Sequence, residues 1–256
     1  MRVSLPPALL ATPLAHRGFH DLAAGCPENS LSAFRAAIDA GYGIELDVQR
    51  SADGHAMVFH DADLGRVSLG HGPLRARTAA QLVQIGLRGS SDCIPTLAGV
   101  LALVRGRVPV LIEIKEGLDQ MAQTPGVLET AVAADLEGYA GPVAVMSFNP
   151  HCIADMARLA PTVARGLTTD SYNPADWAPL PAATCDRLRA IPDYDRTASS
   201  FLSHQASDLA RPRLAELRHQ GAAILCWTIR SPAAETAARH WADNVTFEGY
   251  DPDVQR

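Results

Sequence analysis

Lysine is almost missing from this chain. Of 22 basic residues in 256, one is a lysine, Lys115, and the other 21 are arginine, a pattern that reads as codon bias moving surface lysines to arginine. The position that kept its lysine is therefore of interest. Cysteine is present but unpatterned: Cys26, Cys93, Cys152, Cys185 and Cys226 are odd in number, widely spaced and without a CxxC pair. Neither a disulfide framework nor a zinc knuckle is encoded, and a reducing compartment, the cytoplasm, is expected. No run approaches the roughly 18 apolar residues of a membrane-spanning helix. Near the start, Pro6, Pro7 and Pro13 interrupt the apolar stretch after Arg2, so no removable signal is expected. An excess of positive charge is lacking too. With a net charge of −6 and a pI of about 5.8, the chain has no field that gathers phosphate backbones, which argues against nucleic acid as a partner. Any anion must be held by a local site.

What is present is ordinary for a globular chain: 47% hydrophobic and 20% charged residues, enough to fill a core. Short apolar runs recur at Leu14 to His16, Gly43 to Val48, Val108 to Ile114, Pro142 to Phe148, Val163 to Leu167, Ser200 to His204, Ala223 to Ile229 and Asn244 to Phe247. Helical patterns lie between them, at Ser30 to Ala40, Thr96 to Val104, Gly126 to Glu137, His151 to Leu159, Ala182 to Arg189, Pro212 to Gln220 and Pro232 to Trp241. Strand and helix in alternation predict an α/β fold, a (β/α)8 TIM barrel. No Ser/Gly linker or charge block divides the sequence, so residues 1–256 are expected to form a single domain. One extra run, Ala56 to His60, follows the second strand across Asp53-Gly54, a hairpin signal. A turn centred on those two residues sets Asp47 opposite His60.

The chemistry concentrates in a few places. Glu45 and Asp47 are two apart on a strand, so both side chains share one face while Ile44, Leu46 and Val48 take the other. Glu113 and Lys115 repeat the device on the third barrel strand. A solvent-facing edge explains the first pair and a structural ion pair explains the second. Together, three carboxylates at strand C-terminal ends make an oxygen-only site for a hard cation, magnesium or calcium rather than zinc. His16-Arg17-Gly18 closes the first strand and His60-Asp61 closes the hairpin. Two histidines beside a carboxylate cluster and an arginine able to fork onto a phosphate favour acid-base work on a phosphoester. The other seven histidines lack such company.

In order and approximate spacing, His16-Arg17-Gly18, Pro27-Glu28-Asn29-Ser30, Glu45-Leu46-Asp47, His60-Asp61, Ile112-Glu113-Ile114-Lys115, Ser147-Phe148 and Trp227-Thr228 resemble the motifs of the glycerophosphodiester phosphodiesterase family over nearly the whole chain. The resemblance implies a TIM barrel with a metal-dependent site that cleaves a glycerophosphodiester, a small molecule, to glycerol 3-phosphate and an alcohol. By motif it puts the ligands of one divalent cation on Glu45, Asp47 and Glu113 and the acid-base histidines on His16 and His60. Arg17 and Lys115 would neutralise the phosphate. Phe148 and Trp227 either wall the glycerol pocket or pack the barrel core, and Glu28 and Asn29 orient Arg17 or cap the first helix. The sequence departs from the family at Ser30, usually threonine, and at Thr246-Phe247-Glu248-Gly249, where many members end in Thr-Asp-(Arg)-Pro. The second departure leaves the surroundings of Glu248 and the leaving-group preference open. Two rival readings are a phospholipase-D-like activity on lysophospholipids, with Tyr172 and Trp177 of the Thr168 to Pro181 loop covering an acyl chain, and a non-catalytic barrel that binds phosphorylated ligands.

Overall fold

The computed structural model describes residues 2–252; residue 1 and residues 253–256, which the expected domain includes, lie outside them. Among the described residues nine strands form one sheet: β1 (Leu14–Ala15), β2 (Gly43–Arg50), β3 (Ala56–Val58), β4 (Val110–Ile114), β5 (Val143–Ser147), β6 (Ala164–Thr169), β7 (Phe201–Gln205), β8 (Ala223–Ile229) and β9 (Asn244–Phe247). All but β3 are parallel to their neighbours, and β1 pairs with both β2 and β9, which closes an eight-stranded barrel. The helices are α1 (Ala8–Ala11), α2 (Leu31–Ala40), α3 (Ala79–Leu82), α4 (Leu97–Val104), α5 (Val127–Leu136), α6 (Pro150–Leu159), α7 (Ala182–Arg189), α8 (Pro212–His219) and α9 (Pro232–Ala238). This is the (β/α)8 TIM barrel that the alternation of strand and helix predicts.

Local chemistry explains where the helices begin. Ser30 and Thr96 accept hydrogen bonds from the backbone N–H groups of Ala33 and Gly99, each at 3.1 Å, and so cap α2 and α4. Asn149 does the same for α6 through His151 at 3.0 Å. Two short helices escaped the periodicity because four residues are too few to display it. One is α1, whose Leu9 packs with Leu5 and Leu14 under the barrel, and the other is α3.

The barrel interior changes character along its axis. At the N-terminal end it is filled by Leu14, Leu111, Ala144, Ala164, Phe201 and Leu225. Gly166 makes room for this layer, because a Cβ there would lie 2.5 Å from the Phe201 ring, closer than any packed contact. Two residues further along β2 and β4, the same face carries carboxylates instead. Ile44, Leu46, Val48, Ile112 and Ile114 point outward into the helical layer. The alternation in sequence is thus an alternation between outer core and barrel lumen.

The hairpin differs from expectation by one residue of register. β2 runs on to Arg50, and the turn closes over the five residues Ser51 to His55, with Ser51 N–H donating to the His55 carbonyl at 3.0 Å. Val48 therefore faces Val58, and it is Phe59, not His60, that donates its N–H to the Asp47 carbonyl, at 3.0 Å. An odd connection centres on Asp53 alone, and the parity shifts with it. His60 lies past the end of β3 and reaches the barrel mouth from a loop. Residues 59–96 continue as an insertion with its own small core of Phe59, Leu64, Leu74, Leu82, Leu87 and Ile94.

Gly166→Ala is expected to destabilise the protein by about 1–3 kcal/mol, the usual cost of overpacking a filled core, in urea unfolding monitored by circular dichroism. An unchanged midpoint would mean that Phe201 moves aside freely.

Candidate active site

Strand order and register assemble the site at the C-terminal end of the barrel. Asp47 on β2 and Glu113 on β4 are Cα partners, and Glu45 sits two residues below Asp47 on the same face. Lys115 follows β4 directly. At the closure of the barrel Ala15 is the partner of Phe247, so His16 and Glu248, the next residue on each strand, emerge side by side. One cleft of about 190 Å³ is lined by His16, Arg17, Glu45, Asp47, His60, Glu113, Lys115, Phe148 and Trp227, so the nine candidate metal, acid-base and substrate-binding residues converge on it. Among the described residues a larger cavity, about 610 Å³, lies at the other end of the barrel beside Val143 and Ala164, with Glu137 and Tyr139 as its ionisable side chains.

The electrostatics follow from burying three carboxylates together. Each of Glu45, Asp47 and Glu113 can offer an oxygen within 4.8 Å of the other two. Burial, reinforced by Asp47 and Glu113, pushes the Glu45 carboxyl well above the ordinary range. Glu113 moves up for the same reasons, against the pull of Lys115. Burial opposes ionisation of Asp47 too, but Lys115, His60 and Arg17 outweigh it and hold this carboxyl low. Lys115 Nζ lies 3.3 Å from Glu113 and 3.4 Å from Asp47. Arg17 donates its backbone N–H to Glu45 at 3.1 Å, with φ at +57°, and Asn29, with φ at +55°, donates to Asp47 at 2.8 Å. Two non-glycine residues in the left-handed region are held there by the cluster that they serve. Glu28 accepts from Arg17 Nη1 at 2.8 Å, as expected of a residue that orients Arg17, whereas the Asn29 side chain holds Asp47 and the helix cap is Ser30.

Both histidines of the cleft are anchored through Nδ1, His16 by Glu248 at 2.5 Å and His60 by Asp61 at 2.7 Å. An ionised carboxylate only accepts, so the neutral ring carries its proton on Nδ1 and leaves Nε2 as the acceptor. Burial lowers the pKa of both rings, partly offset by their carboxylates, and holds them neutral near pH 7. Glu248 is held ionised by His16 and His20 and also meets Arg230 Nε at 2.7 Å. Sequence reading left Glu248 without a role. The signal lay in the closure of the barrel, since the residue after the last strand must stand beside the residue after the first.

Phe148 packs edge-on against both Trp227, at 5.6 Å, and Trp177, at 5.0 Å. Tyr172 is buried, with its hydroxyl donating to the Thr168 carbonyl, and Trp177 donates to Asp170 at 2.8 Å. These rings anchor the 168–181 loop inward. A second cavity of about 540 Å³ shares His60 and Lys115 with the cleft and is otherwise lined by Gln49, Asp61, Arg75, Leu118 and Asp119.

The donor set fits a hard divalent cation. It is all oxygen, its span suits one ion about 2.1–2.5 Å from each ligand, and in the cation's absence the carboxylates raise one another's pKa. Thr246 Oγ1, buried in the cleft wall, has no hydrogen-bond partner among the described residues, and Arg17 Nε has only the Asp47 carboxylate, 3.5 Å away.

Residues 16–250 match the model of the glycerophosphoryl diester phosphodiesterase family. The chain belongs to this family. A glycerophosphodiester phosphodiesterase of Caldanaerobacter subterraneus subsp. tengcongensis is 34% identical over 163 residues, 60% of this chain; the match spans 65% of that relative's length. Among solved structures, an Oleispira antarctica phosphodiesterase, determined with its product sn-glycerol-3-phosphate, superposes with a TM-score of 0.76 at 23% identity and covers 97% of each chain. A glycerophosphodiester phosphodiesterase of Thermotoga maritima gives 0.69 at 24% identity over 91% of this chain and 92% of that one. At these identities the likeness is one of fold. Among the described residues no helix is long and apolar enough to cross a membrane, and all five cysteines are free.

Two outcomes follow. In buffer free of divalent cations, Glu45→Gln should be more stable to urea than the parent at neutral pH. A carboxyl whose folded pKa is raised contributes its stability below the unfolded value of 4.5 and loses it as pH rises through the folded one, so the gap should close on acidification. A less stable variant at neutral pH would show that Glu45 is not a strained charge. Second, Glu248→Gln removes the partner that keeps His16 basic, so the His16 titration followed by NMR should move to lower pH; no movement would unlink the pair.

Proposed function

We propose that this protein hydrolyses glycerophosphodiesters to glycerol 3-phosphate and an alcohol, with one divalent cation, Mg2+ or Ca2+, held by Glu45, Asp47 and Glu113. The observation that carries the reading is the convergence of three buried carboxylates, two cationic side chains and two carboxylate-anchored histidines on one cleft. Family membership and the product-bound relative support it. The cation, when bound, would supply positive charge beside a phosphate oxygen and acidify the neighbouring glycerol hydroxyl. Arg17 and Lys115 neutralise the phosphate and stabilise charge on its oxygens as the bond to the leaving group breaks. His16 takes the proton of the attacking hydroxyl at Nε2, while Glu248 steadies the imidazolium that forms. His60 protonates the departing alcohol. Its place between the cleft and the adjoining cavity supports this division, since the leaving group needs a way out on the acid's side. A bound phosphodiester anion raises the pKa of His60 and so loads it with the proton that it gives up. The attacking hydroxyl closes a cyclic phosphate, which water then opens with the histidines in exchanged roles.

In this reading Phe148 and Trp227 wall the glycerol side, residues 1–256 form one domain, and the free cysteines point to the cytoplasm, where the glycerol 3-phosphate joins glycerol and lipid metabolism. The inward packing of Tyr172 and Trp177 gives a lysophospholipid tail no exposed aromatic rim.

Incubation with a panel of glycerophosphodiesters and lysophospholipids should release glycerol 3-phosphate from the former; release from none of them would remove the assignment. His16→Ala and His60→Ala should each lose about 10²- to 10⁴-fold in kcat. With a nitrophenyl leaving group that needs no proton, His60→Ala should be largely rescued and His16→Ala should not. The reverse pattern would exchange their roles. Lys115→Arg keeps the charge but puts a longer planar fork between Glu113 and Asp47, and turnover should fall about tenfold with folding intact. Normal turnover would reduce Lys115 to a counter-charge.

A further inference from the structure

Four charged side chains and the His60 ring run in one unbroken sequence across the mouth of the cleft. Arg17 donates to Glu28 at 2.8 Å; Glu28 accepts from Arg66 Nη1 at 2.8 Å and from Arg66 Nη2 at 2.6 Å. Arg66 turns its Nε and Nη2 to Asp61, the latter at 3.0 Å, and Asp61 holds His60 Nδ1 at 2.7 Å. Arg17 and Glu28 come from the segment after β1, whereas His60 and Asp61 come from the loop after β3. Among the described residues, Arg66 is hydrogen-bonded to both carboxylates at once. We infer that Arg66 is a positioning residue that sets the phosphate-binding Arg17 and the acid-base His60 in one frame, an inference that rests on the function proposed above.

The shape of the guanidinium is what the task requires. Its fork presents donors along two edges, and here one edge meets Glu28 while the other meets Asp61. A lysine ammonium is a point charge and cannot engage both carboxylates in pairs. Stability is a poor explanation for the arrangement. The Arg66 side chain is 49% exposed, and solvent and salt screen ion pairs at that exposure. Orientation is a better one. Glu28 and Asp61 are 15% and 22% exposed, each shared between Arg66 and a residue of the cleft. Without Arg66, both are free to rotate and to carry Arg17 and His60 out of line. Misplacement of a reacting group costs rate even where the fold is untouched.

The test compares Arg66→Met and Arg66→Lys with the parent on two substrates, glycerophosphocholine and a nitrophenyl glycerophosphodiester. For Arg66→Met, kcat/KM on glycerophosphocholine should fall roughly 10- to 100-fold, the usual cost of losing an outer partner, with kcat lowered through His60 and KM raised through Arg17. On the nitrophenyl substrate KM should still rise while kcat is largely kept. Arg66→Lys should recover only part of the loss, and both variants should melt close to the parent. Independently of activity, the His60 ring resonances should shift or broaden in Arg66→Met while those of His204, buried on β7, stay in place. Parent-like kinetics in Arg66→Met, full recovery in Arg66→Lys, an equal kcat loss on both substrates or unmoved His60 resonances would overturn the inference. A parent protein that cleaves no glycerophosphodiester would instead overturn the proposed function, and the resonance experiment would still decide whether Arg66 positions His60.

Discussion

Three carboxylates are buried within 4.8 Å of one another, and the rest of the site is arranged around that fact. Charges of one sign at such spacing and depth cannot all persist without compensation, because desolvation and mutual repulsion act together. Arg17 and Lys115 supply two positive charges, one fewer than the cluster carries when fully ionised. The unequal response of the three groups records this deficit: Asp47, which faces both cations, stays low, while Glu45 and Glu113 are driven up. A divalent cation would turn this deficit into an excess of one positive charge, which suits an anionic phosphodiester. The same reasoning explains the backbone at Arg17 and Asn29, where left-handed conformations are held in place by hydrogen bonds to Glu45 and Asp47.

Placement of that cluster follows from how the barrel is filled. Leu111 and Glu113 are two residues apart on one strand and face the same lumen, yet one belongs to an apolar layer with Phe201 and Leu225 and the other to the cleft. Met146 touches both zones and forms the floor. The closed, apolar end gives rigidity, and the polar end receives the loops that bring His60, Asp61, Glu28 and Arg66. Groups on strand ends are fixed by register, whereas groups on loops need ties, which here are made by carboxylates that bridge pairs of basic side chains.

The parts of this design visible in sequence are those governed by local rules. Period-two alternation selects Glu45, Asp47, Glu113 and Lys115 because a strand allows a side chain only two directions. Helix starts at Ser30 and Thr96 are legible because capping is short-range. Sequence reasoning placed His60 opposite Asp47 by assuming an even turn; the five-residue connection shifts the register, and His60 enters the cleft by way of a loop instead. Glu248 and Arg66 belong to a different category. His16 is 232 residues from Glu248 and Glu28 is 38 from Arg66, and only barrel closure and loop packing bring these pairs into contact. The insertion of residues 59–96 was legible only as a short hairpin, because its small core draws on Phe59, Leu64, Leu74, Leu82, Leu87 and Ile94, which are spaced without a helical or strand period.

The most direct test of the account is a calorimetric titration of Mg2+ or Ca2+ into chelator-treated protein, with glycerophosphodiester hydrolysis measured in the same samples. A single site per chain is predicted, with hydrolysis rising in proportion to its occupancy and with both lost together in Asp47→Asn. Full hydrolysis before any cation is added, or a binding isotherm that Asp47→Asn leaves unchanged, would contradict the claim that the buried carboxylate cluster is the cation site of a phosphodiesterase.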